Sequence, residues 1–183
     1  MEPQIFEDSR QQIKPVDKHA KKHLWWKSHG VTVERRKLDF GDYVRADGLS
    51  NISIDTKANM QEICGNLGKD HNRVVREVER ARDAGYRLVF LVEVGGNYKC
   101  VDDVGRWTND VCKRCGEYRA KSCDPSRDRC KRFRRRPMQG TTLARIMRSM
   151  ERDHGCRFEF VHPMMAAKRI CDVLGVEYGR RAV

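Results

Sequence analysis

The chain of 183 residues lacks an apolar run of membrane-spanning length, and its N-terminus, MEPQIFEDSRQQ, lacks the apolar core of a signal peptide. Both absences lead to the expectation of an intracellular, cytoplasmic protein with no membrane partner. No internal repeat is visible, and the length suits one domain with a proper core and a small insertion. Acids are the scarcer charge: 26 Asp+Glu stand against 38 Lys+Arg, a net +12. Such a surplus points to a polyanionic partner, most often nucleic acid, or else to a merely solubilising surface. Where the charge sits decides between them.

It sits in one place. Residues 112–136 hold eleven Lys/Arg against three acids, a net +8, and include Arg132, Arg134, Arg135 and Arg136. The same stretch is poor in large apolar residues, with only Tyr118 and Phe133, yet holds four of the eight cysteines: Cys112, Cys115, Cys123 and Cys130. In a reducing compartment a CxxC, then seven residues, a cysteine, six more and another cysteine reads as a metal site rather than a disulfide pair. A four-thiolate zinc site can fold a segment that has almost no core. The alternative is a disordered basic loop with incidental cysteines. Cys64, Cys100, Cys156 and Cys171 are scattered and read as small buried or half-buried residues, not ligands.

Periodicity sets out the rest. Ile5–Asp8 reads as a short strand. Pro15 suits the first turn of a helix with Val16, Ala20 and Leu24 on its inner face, ending before Gly30. Residues 31–38, 42–46 and 51–56 read as strands. A helical stretch runs from about 59 to 84, broken near Gly65 and Gly68, with Val74, Val78 and Ala81 at helical spacing. RLVFLVEV, residues 87–94, reads as a strand covered on both faces. After the basic segment, an inserted unit spanning 100–138, come a helix at 141–153, a strand with Phe158 and Phe160, and a last helix opened by Pro163. This order predicts an α/β fold, a mixed central sheet flanked by helices. Trp25, Trp26, Met164 and Met165 read as packing residues.

Two strand ends carry the chemistry. Asp42 opens the second member of the strand trio, and the next strand ends Asp55-Thr56-Lys57. Alternation puts Asp55 and Lys57 on one face and turns the Thr56 side chain away. Two strand-borne carboxylates, Asp42 and Asp55, with the Thr56 carbonyl, suit a hard cation that keeps several waters, Mg²⁺ or Mn²⁺. Lys57 would orient the attacking water and neutralise phosphate charge. Acids and lysines at strand ends are also ordinary solvated residues, so D-x-K alone specifies little.

The motif order resembles the XPF-type branch of the PD-(D/E)XK nucleases. Gly41-Asp42 looks like that branch's GD strand end, and Asp55-Thr56-Lys57 like its (E/D)-x-K. Asn72-Arg73-Val74 is similar to its GRL-like helix patch. RLVFLVEV and the TTLARIMRSM…FEFVHP…AAKRICDVL tail look like its apolar strand and closing helix–strand–helix. Glu7-Asp8-Ser9-Arg10-Gln11 resembles the opening VDxRE. The likeness covers about residues 5–98 and 139–175. It departs at Gln61, where the branch has an acid four residues after the lysine, with Glu62 beside it as a substitute, and at Gln11, where the motif has Glu. The resemblance implies a restriction-endonuclease-like fold with Asp42, Asp55 and Lys57 as the catalytic centre. Asp8 and Glu62 are implied as acids near it, and Arg73 and Arg76 as phosphate contacts on the following helix. His71, beside that arginine, reads as a solvated histidine. The cysteine segment lies outside the usual core. It would supply the DNA grip that members often take from a helix-hairpin-helix module, which is not visible in these residues.

The leading expectation is therefore a Mg²⁺-dependent DNA endonuclease, acting at branched or otherwise structured DNA as the resemblance implies, with a structural Zn²⁺ in its insertion. A homodimer is left open. The competing classes are a nuclease fold that grips DNA without cutting it and a zinc-dependent regulator in which the basic segment does the work.

Overall fold

A computed structural model of the chain describes residues 2–11, 18–125, 129–130 and 132–179. Pro15 and Val16 of the first helix as read above, and Arg127, Asp128 and Lys131 of the basic segment, lie outside the described residues.

Six strands form one mixed sheet: β1 (Ile5–Asp8), β2 (Val33–Arg36), β3 (Tyr43–Arg45), β4 (Ile52–Lys57), β5 (Arg87–Glu93) and β6 (Arg157–Val161). Their order is β2-β1-β3-β4-β5-β6. β3 runs antiparallel to both β1 and β4, while the β1–β2, β4–β5 and β5–β6 pairs are parallel. The apolar run 87–94 is explained by its place: β5 lies inside the sheet between β4 and β6, and both its faces are covered.

One face of the sheet packs under α2 (Met60–Gly68), α3 (His71–Asp83) and α6 (Gly140–His154). There Leu88, Phe90 and Val92 meet Ile63, Leu67, Val74, Val78, Leu143 and Met147. The other face packs under α1 (Lys18–Ser28) and α7 (Ala166–Leu174), where Ile5, Tyr43, Ile54, Val89 and Leu91 meet Trp26, Ile170, Cys171 and Leu174. The long helical stretch divides in two just after Gly68, while Gly65 lies inside α2. Asn59 caps α2 by accepting the Glu62 N–H at 2.8 Å, while Glu62 accepts the Ala58 N–H at 2.7 Å.

Several expectations need correction. Leu24 is 68% exposed, and the buried face of α1 carries His19, Lys22 and Trp26 instead. Met164 and Met165 lie on the surface in a short 3₁₀ turn rather than in packing, and Cys100 is exposed. The expected strand 31–38 contracts to four residues at the sheet edge, where β1 pairs with it.

Between β5 and α6 the chain first makes a 3₁₀ turn, Val101–Arg106, whose Val101 and Val104 join the core with Trp107. The cysteine segment follows with two short helices, α4 (Asp110–Lys113) and α5 (Gly116–Arg119). Among the described residues no helix is long and apolar enough to cross a membrane.

Candidate functional site

The site is built at the turn into β3. Gly41 takes φ +65°, and a Cβ there would stand 2.2 Å from Ser53 Oγ and 3.0 Å from the Ile54 carbonyl oxygen. Only glycine accepts both the left-handed conformation and that approach. The turn hands Asp42 to β3. Register pairs Tyr43 with Ile54 and Val44 with Ser53, so continuing it sets Asp42 opposite Asp55. The Asp42 N–H donates to the Ile54 carbonyl at 2.6 Å.

Asp55 and Lys57 share a face, as strand alternation requires. Lys57 Nζ donates to Asp55 Oδ1 at 2.7 Å and stands equally close to Oδ2. Asp42, Asp55 and Lys57 are 8%, 5% and 8% exposed, a degree of burial that charged groups reach only when paired. Burial, with Asp42 and Glu77 nearby, pushes the Asp55 carboxyl up to about 7 against the opposing pull of Lys57. Burial pulls Lys57 down, but Asp55 above all, with Asp42 and Glu62, holds its ammonium above its ordinary range.

Asp42 is more heavily bonded than its strand position suggested. Its Oδ2 accepts the Thr56 N–H at 2.8 Å and the Thr56 hydroxyl at 2.6 Å. The Thr56 side chain, expected to turn away from the site, is thus tied to Asp42. Its Oδ1 accepts the Gln11 amide. A carboxylate offers about four acceptor positions. One therefore remains on Asp42, on Oδ1, besides the oxygens of Asp55. Both are hard oxygen donors of the kind Mg²⁺ takes.

The other expected residues divide. Asp8 is buried and its backbone N–H donates to the Asp42 carbonyl at 2.8 Å, so it adjoins the site. Its carboxylate is taken by Arg10, at 2.8 and 3.1 Å from Nε. Glu62 is exposed and serves as the helix cap described above. Arg73 and Arg76 are exposed on α3, and Arg73 faces Glu77 at 3.5 Å. His71 is half-buried rather than solvated, with its Nδ1 shielded from water.

Sequence reading missed Glu77 and the role of Gln11. Glu77 Oε1 accepts the Gly41 N–H at 3.3 Å, which holds the turn that delivers Asp42. It also missed a buried polar cluster on the opposite face of the sheet. The Glu7 carboxylate, fully buried, meets His23 Nε2 at 2.9 Å, Arg35 Nε at 3.3 Å and the Tyr43 hydroxyl at 3.2 Å. Burial first, and the Glu7 charge second, raise the Tyr43 phenol well above its ordinary range. Beside them Lys22 and Glu93 pair at 2.5 Å. Arg35 also donates to the carbonyls of Ser9, at 3.0 Å, and Gln11. A chain of contacts thus runs from Glu7 through Arg35 to Gln11 and Asp42. His19, Lys22 and His23 at helical spacing, opposite strand acids, were the available signal.

In the cysteine segment Cys112 and Cys115 are buried, while Cys123 and Cys130 are half-buried. Sulfurs of this segment accept N–H donors. Cys112 takes the Gln139 amide at 3.4 Å, and Cys130 the Phe133 N–H at 3.2 Å. Backbone N–H groups of Tyr118 and Glu117, with the Arg132 guanidinium, lower the Cys115 thiol. By contrast burial pushes Cys64 up to about 11 and Cys156 and Cys171 up to about 12, so these remain thiols. Among the described residues no three His, Cys, Asp or Glu side chains form a group able to hold a metal ion. Arg132, Arg134, Arg135 and Arg136 are all exposed, and Arg132 also lies over the Phe133 ring. No family model and no curated protein sequence matches the chain.

Proposed function

We propose that this chain is a divalent-metal-dependent endonuclease of the XPF-type branch of the PD-(D/E)XK nucleases, hydrolysing phosphodiester bonds in branched or otherwise structured DNA. The observation that carries the reading is the buried Asp55–Lys57 pair set across from Asp42 at adjoining strand ends. Burying a lysine between carboxylates is costly and adds little stability. It is useful where a charge must be aimed at a phosphate.

The donor set suits the cation such a reaction uses. Asp55 is crowded by Asp42 and Glu77, and burial already opposes its charge. A divalent cation relieves that crowding, and Asp55 with Oδ1 of Asp42 would hold it. When bound, Mg²⁺ or Mn²⁺ supplies Lewis-acid polarisation and neutralises phosphate charge. The chain's own groups do the positioning. Thr56 and Gln11 fix the Asp42 carboxylate. Asp55 aims the Lys57 ammonium, which orients water and balances charge at the scissile phosphate. Arg73 and Arg76 contact neighbouring phosphates from α3.

The cysteine segment belongs to the same reading. Its CxxC spacing and the N–H bonds to its sulfurs suit thiolates that hold a structural zinc ion. Its arginines then grip the phosphate backbone. The test is cleavage of branched and linear DNA with and without Mg²⁺. DNA binding without cleavage would favour the gripping module, and zinc content without DNA binding the regulator.

A further inference from the structure

Both ends of the cysteine segment are fastened to one helix, and that helix begins three residues after Lys57. At the entering end, the Asp110 N–H donates to Gln61 Oε1 at 3.0 Å. Asn109, 3% exposed, donates to Cys64 Sγ of α2 at 3.6 Å and to the Met138 carbonyl at 3.1 Å, bridging the entering and leaving ends of the segment. At the leaving end, Met138 Cε lies 3.2 Å from where a Gly68 Cβ would stand. Gln139 bonds Cys112, and the Gly140 N–H donates to the Trp107 carbonyl at 3.0 Å. The neck is closed so tightly that a Gly140 Cβ would meet the Val104 and Trp107 carbonyl oxygens at 2.2 and 2.6 Å.

Such a neck fixes reach. Gln61 is four residues from Lys57, at most about 15 Å along the chain. α2 is about 13 Å long, and Arg136 lies two residues from Met138. The arginine run therefore starts within about one duplex turn of the cutting residues.

We propose that α2 is a shared wall between the candidate cutting site and the cysteine segment. Gln61 and Asn109 are the positioning residues that hold Arg134–Arg136 at a fixed distance from the phosphate at Lys57, so both engage one DNA duplex together. The inference rests on the nuclease reading above. It also explains Gln61 without catalysis: the side chain is spent on the segment's first helix.

The experiment compares Gln61→Leu, which removes the acceptor, with Gln61→Glu, which keeps an acceptor oxygen for the Asp110 N–H. Asn109→Ala is a second, more severe variant. For Gln61→Leu, KM for duplex DNA should rise about fivefold or more while kcat stays within about twofold. The cut positions should spread over neighbouring bonds, and Gln61→Glu should restore both. A hydroxyl-radical footprint of the uncut complex reads the same coupling without cleavage: the protection due to Arg134–Arg136 lies within about one turn of the site and blurs in Gln61→Leu. Unchanged KM, cut pattern and footprint in a folded Gln61→Leu protein would overturn the inference. If the unaltered protein cuts no DNA, the nuclease reading fails and the footprint alone decides the coupling.

Discussion

Asp55 is the residue on which most of the proposed chemistry turns. Burial raises its carboxyl to about 7, above its value in the unfolded chain. Between about pH 4 and 7 the folded state therefore holds a proton that the unfolded state has released, so metal-free stability falls as pH rises through that window, by at most ~1.4 kcal/mol per pH unit from this group. Cation binding needs the ionised form. Mg²⁺ should raise the melting temperature well above pH 7 and have little effect near pH 6. Melts of the unaltered protein and Asp55→Asn, with EDTA or Mg²⁺, isolate this group: the variant should lose both the Mg²⁺ response and its pH dependence. Lys57 plays a different part. Lys57→Ala should lower the cleavage rate about 10²-fold or more while the Mg²⁺ midpoint in the same melts barely moves. A rate within a few fold of the unaltered protein would remove Lys57 from the mechanism.

At the scale of elements, the turn before β3 is the most sensitive joint. Gly41→Ala places a Cβ against Ser53 and the Ile54 carbonyl at positive φ, and should cost about 2–3 kcal/mol in chemical denaturation. Because the same turn delivers Asp42, the folded fraction should also cleave poorly. The sequence announced many of these elements. Val74, Val78 and Ala81 are buried on α3 as their spacing required, and the run 87–94 supplies β5, an interior strand covered on both faces. It announced α1 but misplaced its buried face, because that helix buries His19 and Lys22 against strand acids, and hydropathy cannot register a face satisfied by polar pairs. The same blindness hid Glu7 and Glu93. Asp42, Asp55 and Lys57 were legible because alternation and antiparallel register alone bring them together. Glu77, Gln11 and the Thr56 hydroxyl were not, because their contacts depend on how a helix and a loop fold back over the strand ends.

The whole molecule divides into an α/β body and a basic segment held on its α2 wall. If four thiolates hold one zinc ion, purified protein should contain about one zinc per chain and Cys115→Ser should lose it; the segment keeps a net charge of about +6 once the site's own −2 is counted. Changing Arg134, Arg135 and Arg136 together to Ala should weaken binding to all sequences and flatten the slope of log K against log salt by about 0.9 for each phosphate left without its arginine. An unchanged slope would place the segment away from DNA. The central claim is that Asp42, Asp55 and Lys57 form a metal-dependent phosphodiesterase centre. Its most direct test is cleavage of branched and linear DNA by purified unaltered protein and Asp55→Asn, each with and without Mg²⁺. Cleavage only with the cation, abolished in a folded Asp55→Asn protein that still binds the same DNA, is the predicted result. Full activity in that variant, or no cleavage by the unaltered protein of any of these substrates, would contradict it.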